Sequence, residues 1–128
     1  GDLLDDLLDA LKEKQEKLAN SYGFYVPLAI KVSPDLSEEE VKSIALKLVE
    51  YKIDAVIATN TTTNRDSVSG LRFSEEGGGL SGPPVKNVSD NIISCFFQEI
   101  GDRSCLGNER KRFVLKHSNH NWHRHVFF

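Results

Sequence analysis

Residues 26–59 read VPLAIKVSPDLSEEEVKSIALKLVEYKIDAVIAT, and this stretch decides the fold. Residues 26–32 are short and mostly apolar, as a strand buried on both faces should be, and Pro27 is tolerable near the start of such a strand. Ser37 then stands as an N-cap, Glu40 completes a capping box, and the acidic residues 38–40 suit the positive end of a helix dipole. Val41, Ile44, Ala45, Leu48 and Val49 fall on one apolar stripe of that helix. After a short turn, residues 54–59 (DAVIAT) give a second buried strand. Strand, helix and strand in this order are the grammar of a parallel α/β sheet or barrel with crossover helices.

Working outward, residues 2–19 place Leu3, Leu4, Leu7, Leu8, Leu11 and Leu18 at helical spacing among acidic and basic residues, and Ser21-Tyr22-Gly23 ends that amphipathic helix. Beyond the second strand a long polar, glycine-rich stretch runs from 60 to 84. Ser89 is placed to cap a third helix bearing Ile92, Ile93, Phe96, Phe97 and Ile100. Only two strands are visible, and two parallel strands cannot form a covered sheet by themselves. The chain therefore reads as a piece of something larger.

Within the polar stretch, Gly77-Gly78-Gly79-Leu80-Ser81-Gly82 satisfies the pattern G-x-G-x-x-G. A dinucleotide-binding turn needs a strand immediately before it, and here the glycines lie well beyond Thr59. A Walker loop is excluded because Gly82 is followed by Pro83 instead of Lys and Ser or Thr. What remains is a loop in which missing side chains let backbone N–H groups approach a ligand, or else a mobile surface loop. Lys31 near the carboxyl end of the first strand and Thr59-Asn60-Thr61-Thr62 after the second favour the site, because they gather on the face where α/β barrels place chemistry. A buried Lys31 needs an anionic partner to offset its desolvation, unless its stem carries the ammonium out to solvent.

Three separated motifs, VPLAIKVSPDLSEEE, IDAVIATNTT and GGLSGPP, resemble the second half of the quinone-dependent (class 2) dihydroorotate dehydrogenases. The resemblance spans roughly residues 1–103, with the motifs in family order, and ATNTT separates it from the class 1 enzymes. It implies an α/β fold, a partial (β/α)8 TIM barrel of about two βα units, from an FMN-binding enzyme. That enzyme oxidises dihydroorotate to orotate in pyrimidine biosynthesis and passes electrons to a membrane quinone. It implies cofactor contacts at Lys31, Thr59, Ser81 and Gly82, with the Lys31 charge beside the flavin ring, and pyrimidine contacts at Asn60 and Thr61. The family's serine base and its quinone-tunnel segment correspond to sequence upstream of Gly1, and the flavin phosphate site should follow Arg103. The isolated chain is accordingly expected to be inactive. Pro83 departs from the residue that quinone-dependent members often carry. The resemblance places the full-length family at the membrane surface as a peripheral protein.

From Ser104 the texture breaks. Residues 104–128 hold all four histidines, the single Trp and five of the sixteen Lys and Arg residues, without amphipathic periodicity. A frameshifted or otherwise non-native ending explains this, with a genuine basic tail as the alternative, and a strand of barrel type is not expected there. Only Phe113-Val114-Leu115 comes close to one. The domain reading is therefore 1–103 as barrel and 104–128 as divergent tail. A metal-binding module using His117, His120, His123 and His125 is the competing reading from another class, though no Cys or carboxylate cluster joins them. Another flavin- or phosphate-binding barrel enzyme is the third.

The remaining composition sets limits. A net charge of −3 over 128 residues, 27% of them charged, argues against a nucleic-acid or anionic-membrane surface driven by global charge. Cys95 and Cys105 lack C-x-x-C spacing, and the chain shows neither a signal-peptide core nor a membrane-length apolar run. A reduced, cytosolic type of chain is the expectation.

Overall fold

The computed structural model describes residues 2–104, 113–118 and 121–126. Helix α1 spans Leu3–Tyr22. Strand β1 (Ala29–Val32), helix α2 (Glu38–Glu50) and strand β2 (Ala55–Ala58) follow, and helix α3 (Lys86–Ser104) precedes strands β3 (Phe113–Ser118) and β4 (Asn121–Val126). The sheet order is β1-β2-β3-β4. The first three strands run parallel, with Ile30 opposite Val56 and Val56 opposite Val114, and β4 returns antiparallel to β3.

Local chemistry sets the helix ends. Asp2 caps α1 by accepting the Leu4 amide, and the helix stops at Gly23, whose φ of 76° is left-handed and whose N–H returns to the Ala19 carbonyl. At α2 both halves of the expected capping box form: the Glu40 amide donates to Ser37 Oγ at 3.2 Å, and the Ser37 amide donates to Glu40 Oε2 at 2.8 Å. The Ser37 amide, and after it the Ser37 hydroxyl, holds the Glu40 carboxyl below its ordinary value.

Helix α3 begins differently from expectation. Pro83-Pro84-Val85 forms a 3-10 turn that leads into it, so proline's fixed φ starts the helix and Ser89 lies inside it, buried rather than capping. Among the described residues Ser89 Oγ is a buried hydroxyl with no hydrogen-bond partner.

One core fills the space between the sheet and its helices. Val32, Val56 and Ala58 meet Val41, Ala45 and Leu48 of α2, Ile92, Phe96 and Ile100 of α3, and Leu8 of α1. Burying Phe96 at spacing i, i±4 from Ile92 and Ile100 removes an aromatic face from water, the largest single contribution of its helix. The leucine stripe of α1 is only partly used, since Leu3 and Leu7 are exposed while Leu8 is fully enclosed.

Three further expectations need correction. The first strand is shorter than residues 26–32, because the backbone before Ala29 bonds elsewhere. Val26 O accepts Gln15 Nε2 at 2.7 Å, and Leu28 O accepts the amides of Asp54 and Ala55. Leu28 N–H donates to Asp54 Oδ2 at 2.8 Å, an oxygen that also accepts Tyr25 OH. Secondly, β1 is not buried on both faces: Val32 is buried and Ile30 half-buried, whereas Ala29 and Lys31 are exposed. Strand alternation sends every second residue to the face that no described helix covers. Lys31 is therefore not a buried lysine. Lastly, the tail does supply a strand of parallel type, since Phe113-Val114-Leu115 pairs with Ala55-Val56-Ile57, although residues 105–112 lie outside the described residues.

Candidate functional site

The carboxyl ends of β1 and β2 lie side by side because the two strands are parallel and in register, Lys31 opposite Ile57 and Val32 opposite Ala58. Just past β2 the Ala58–Thr59 peptide is cis. Thr59 is buried, and the next residue, Asn60, donates its amide to the Val32 carbonyl at 2.7 Å. That bond continues the ladder by one rung and sets Asn60 beside the end of β1. Asn60 and Thr61 are exposed, so an amide and a hydroxyl are available on the surface within a few residues of the Lys31 ammonium.

The glycine-rich loop is brought back onto the same end by an antiparallel bridge between Thr62 and Leu80. Arg65 holds the loop's far side, donating from its guanidinium to the carbonyls of Glu76, at 3.0 Å, and Gly78. Gly79 then lies directly against Thr61: a Cβ at position 79 meets Thr61 Oγ1 at 1.8 Å and Thr61 Cβ at 2.4 Å. No side chain fits there. Ser81 and Gly82 follow, and Gly82 takes φ 91° at the entrance to the 3-10 turn, a conformation that strains any residue with a Cβ.

All six residues singled out from the sequence, Lys31, Thr59, Asn60, Thr61, Ser81 and Gly82, thus fall at one end of the parallel strands or on the loop bridged to it. They are not equivalent. Thr59 is enclosed, Gly82 is half-buried, and the other four face solvent. Among the described residues the Lys31 ammonium has no ion pair, and its charge is open to whatever occupies the helix-free sheet face.

Three further residues escaped the sequence reading. Asp35, present there only inside the VPLAIKVSPDLSEEE motif, accepts from Thr62 Oγ1 with one carboxylate oxygen and from the Thr63 amide at 3.2 Å with the other. Thr62 Oγ1 in turn accepts the Asn64 amide at 3.0 Å. Gly79 and Arg65 are the other two. Gly79 carried no signal separating it from its glycine neighbours, and the contacts of Arg65 and Asp35 are non-local. A cavity of about 620 Å³ opens beside this network, walled by Asp35, Leu36, Thr62, Asn64, Asp66 and Val85 among others. None of the six expected site residues lines it.

His117, His123 and His125 stand on β3 and β4, with His123 opposite Lys116 and His125 opposite Val114, while His120 lies outside the described residues. Among the described residues no group of three or more His, Cys, Asp or Glu side chains is arranged to hold a metal ion. No described helix is long and apolar enough to cross a membrane.

Comparison with known proteins agrees with this architecture. The family model described as dihydroorotate dehydrogenase matches residues 1–105. Dihydroorotate dehydrogenase (quinone) of Vibrio cholerae is 50% identical over 102 residues, 80% of this chain and 30% of that protein. The protein of the same name from Aliivibrio fischeri is 52% identical over 102 residues with the same coverage. Among solved structures, DHODH from Eimeria tenella in complex with ferulenol superposes with a TM-score of 0.75 at 24% identity, covering 92% of this chain and 33% of that one. At that identity the likeness speaks for the fold. The chain spans about 30% of the length of the curated relatives it matches.

Proposed function

Because this chain belongs to the dihydroorotate dehydrogenase family, we propose that it forms part of an enzyme that oxidises dihydroorotate to orotate with FMN as cofactor and a quinone as electron acceptor. The observation that carries the proposal is the gathering of Lys31, Asn60-Thr61 and Ser81-Gly82 at the carboxyl ends of parallel strands by the Asn60–Val32 bond and the Thr62–Leu80 bridge. The sheet belongs, on this reading, to a (β/α)8 barrel. Strands in chain order with the described helices on one face support it, since a doubly wound sheet reverses its order and covers both faces.

The residues present fit a flavin. The sheet face that no described helix covers carries the Lys31 ammonium, which has no ion pair among the described residues, and the bridged loop offers backbone at Gly82 without an obstructing Cβ. When bound, FMN supplies the acceptor for the electrons leaving the C–H bond. Lys31 places positive charge next to that acceptor, and Thr59, Ser81 and Gly82 hold the ring side. Asn60 both donates and accepts through its amide, and Thr61 does so through its hydroxyl. These are the two capacities needed to orient a pyrimidine ring that presents alternating N–H and C=O groups. Residues 104–128 are assigned no part in this site. The whole protein associates with the membrane surface, where the quinone resides.

The test is a hybrid in which this chain's matched residues replace the 102 of the Vibrio cholerae protein. Flavin absorbance is read after desalting and again after anaerobic dihydroorotate. Retained flavin that bleaches is the expected result. A folded hybrid that holds no flavin rejects the assignment of these residues.

A further inference from the structure

We propose that Asp35 is a positioning residue for Asn60 and Thr61, an inference that rests on reading those two residues as pyrimidine contacts. The segment after β2 is tied to the exit of β1 at two points. Its first tie is the Asn60 amide on Val32 O, at 2.7 Å. Its second is the Asp35 carboxylate, which takes the Thr62 hydroxyl on one oxygen and the Thr63 amide, at 3.2 Å, on the other.

Asn60 and Thr61 lie between those ties, and Thr61 is stopped from behind by the backbone of Gly79. Asp35 itself sits three residues beyond Val32, after the fully buried Pro34, so its backbone is anchored to the end of the strand that carries Lys31. A charged acceptor serving two donors fixes both the height and the rotation of the segment, because a carboxylate's two oxygens lie in one plane. Asp35 thereby sets the separation of Asn60 and Thr61 from Lys31 without touching a ligand. It does so through a contact that spans 27 positions of sequence.

The experiment has two arms. In the 128-residue chain, amide hydrogen exchange is compared between the parent, Asp35→Ala and Asp35→Asn. The Thr63 amide is expected to exchange about tenfold faster in Asp35→Ala, with α2 amides unchanged and Asp35→Asn intermediate, since its amide oxygen still accepts one bond. Unaltered exchange at Thr63 overturns the proposal. In the Vibrio cholerae hybrid, Asp35→Ala is expected to raise KM for dihydroorotate about tenfold with flavin content and melting temperature held, and Asp35→Asn to recover part of it. Parallel loss of flavin and melting temperature, or an unchanged KM, rejects positioning. A parent hybrid that holds flavin yet ignores dihydroorotate sinks the pyrimidine reading and this inference with it. An active parent with indifferent Asp35 variants sinks this inference alone.

Discussion

Thr62 and Leu80 exchange backbone hydrogen bonds in both directions, Thr62 N–H to Leu80 O at 3.0 Å and Leu80 N–H to Thr62 O at 2.8 Å. This reciprocal pair turns a polar, glycine-rich stretch into a closed loop whose two feet stand at the end of β2. Closing a loop of this length costs conformational entropy that two backbone bonds alone offset poorly. The Arg65 contacts to Glu76 and Gly78 and the seat of Thr61 on Gly79 supply the remainder.

Gly79→Ala is therefore expected to be disruptive although φ at that position is unremarkable. The new methyl falls 2.4 Å from Thr61 Cβ, so either Thr61 or the loop must shift, at a cost of about 1–3 kcal/mol. Thr61→Gly in the same chain removes both offending atoms and should restore most of the loss. Urea unfolding of the two variants measures this. A Gly79→Ala chain as stable as its parent means the loop does not rest on Thr61.

In the core, Phe96→Ala is expected to cost about 3–5 kcal/mol, a large share of the stability of a domain this size. Phe96 is wholly enclosed where α2, α3 and the sheet meet. Leu3, exposed at 87% on α1, provides the contrast, since Leu3→Ala should change stability by less than about 0.5 kcal/mol. Denaturant midpoints compare them. Equal effects contradict the placement of the core.

The contrast also shows which features were legible in the sequence. The Ser37–Glu40 box and the glycine end of α1 depend on residues within a turn of one another, and local rules suffice for them. The parallel pairing of β1 with β2 followed from the intervening helix. Exposure of Lys31 did not, because an apolar run reads alike whether one sheet face is covered or two. Ser89 misled for a related reason: capping chemistry was present, but Pro83 and Pro84 had already started the helix. Asp35 joins Thr62 across a distance that no periodicity encodes. Strand β3 was visible only as a three-residue apolar run, and its partner was unknown until β2 stood next to it.

Acid and alkali should each loosen the junction of α1 with α2. Lys47 donates to Asp2 at 2.8 Å and to Asp5 at 2.9 Å, and these bonds, Asp2's first, push its pKa from 10.5 up to about 12. The Lys47 ammonium, helped by the Leu4 amide, holds the Asp2 carboxyl below its ordinary 3.8. A raised cation contributes stability that is fully present below pH 10.5 and is lost as pH rises through about 12. A depressed carboxyl contributes above pH 3.8 and loses that contribution as pH falls. The parent should thus melt slightly above Lys47→Met across the intervening range, with the gap narrowing at both extremes. A gap that persists unchanged into strong acid rules out the ion pairs as its source.

Lys31 and Asn60 should separate kinetically in the Vibrio cholerae hybrid. The Lys31 side chain stands on the sheet face that no described helix covers and is not part of the core among the described residues, so Lys31→Ala should leave the fold within about 0.5 kcal/mol of its parent. On the proposed reading its charge matters where electrons arrive. Removing one preorganised electrostatic group from a site that gains negative charge commonly lowers the rate by about 10²–10³-fold, and Lys31→Arg should restore part of it by keeping the charge while changing its shape. Asn60 acts earlier. Its backbone amide already serves Val32, so Asn60→Ala deletes only the side-chain amide and leaves the ladder intact. Loss of a polar contact made equally in the ground and transition states raises KM and leaves kcat alone, by about tenfold for a bond of ordinary strength. Stopped-flow reduction under anaerobic conditions reads the Lys31 effect as a rate at saturating dihydroorotate, and steady-state assays read the Asn60 effect as a KM. If Lys31→Ala alters only KM while Asn60→Ala alters only the saturated rate, the assignment of charge to the cofactor and of the amide to the pyrimidine is inverted.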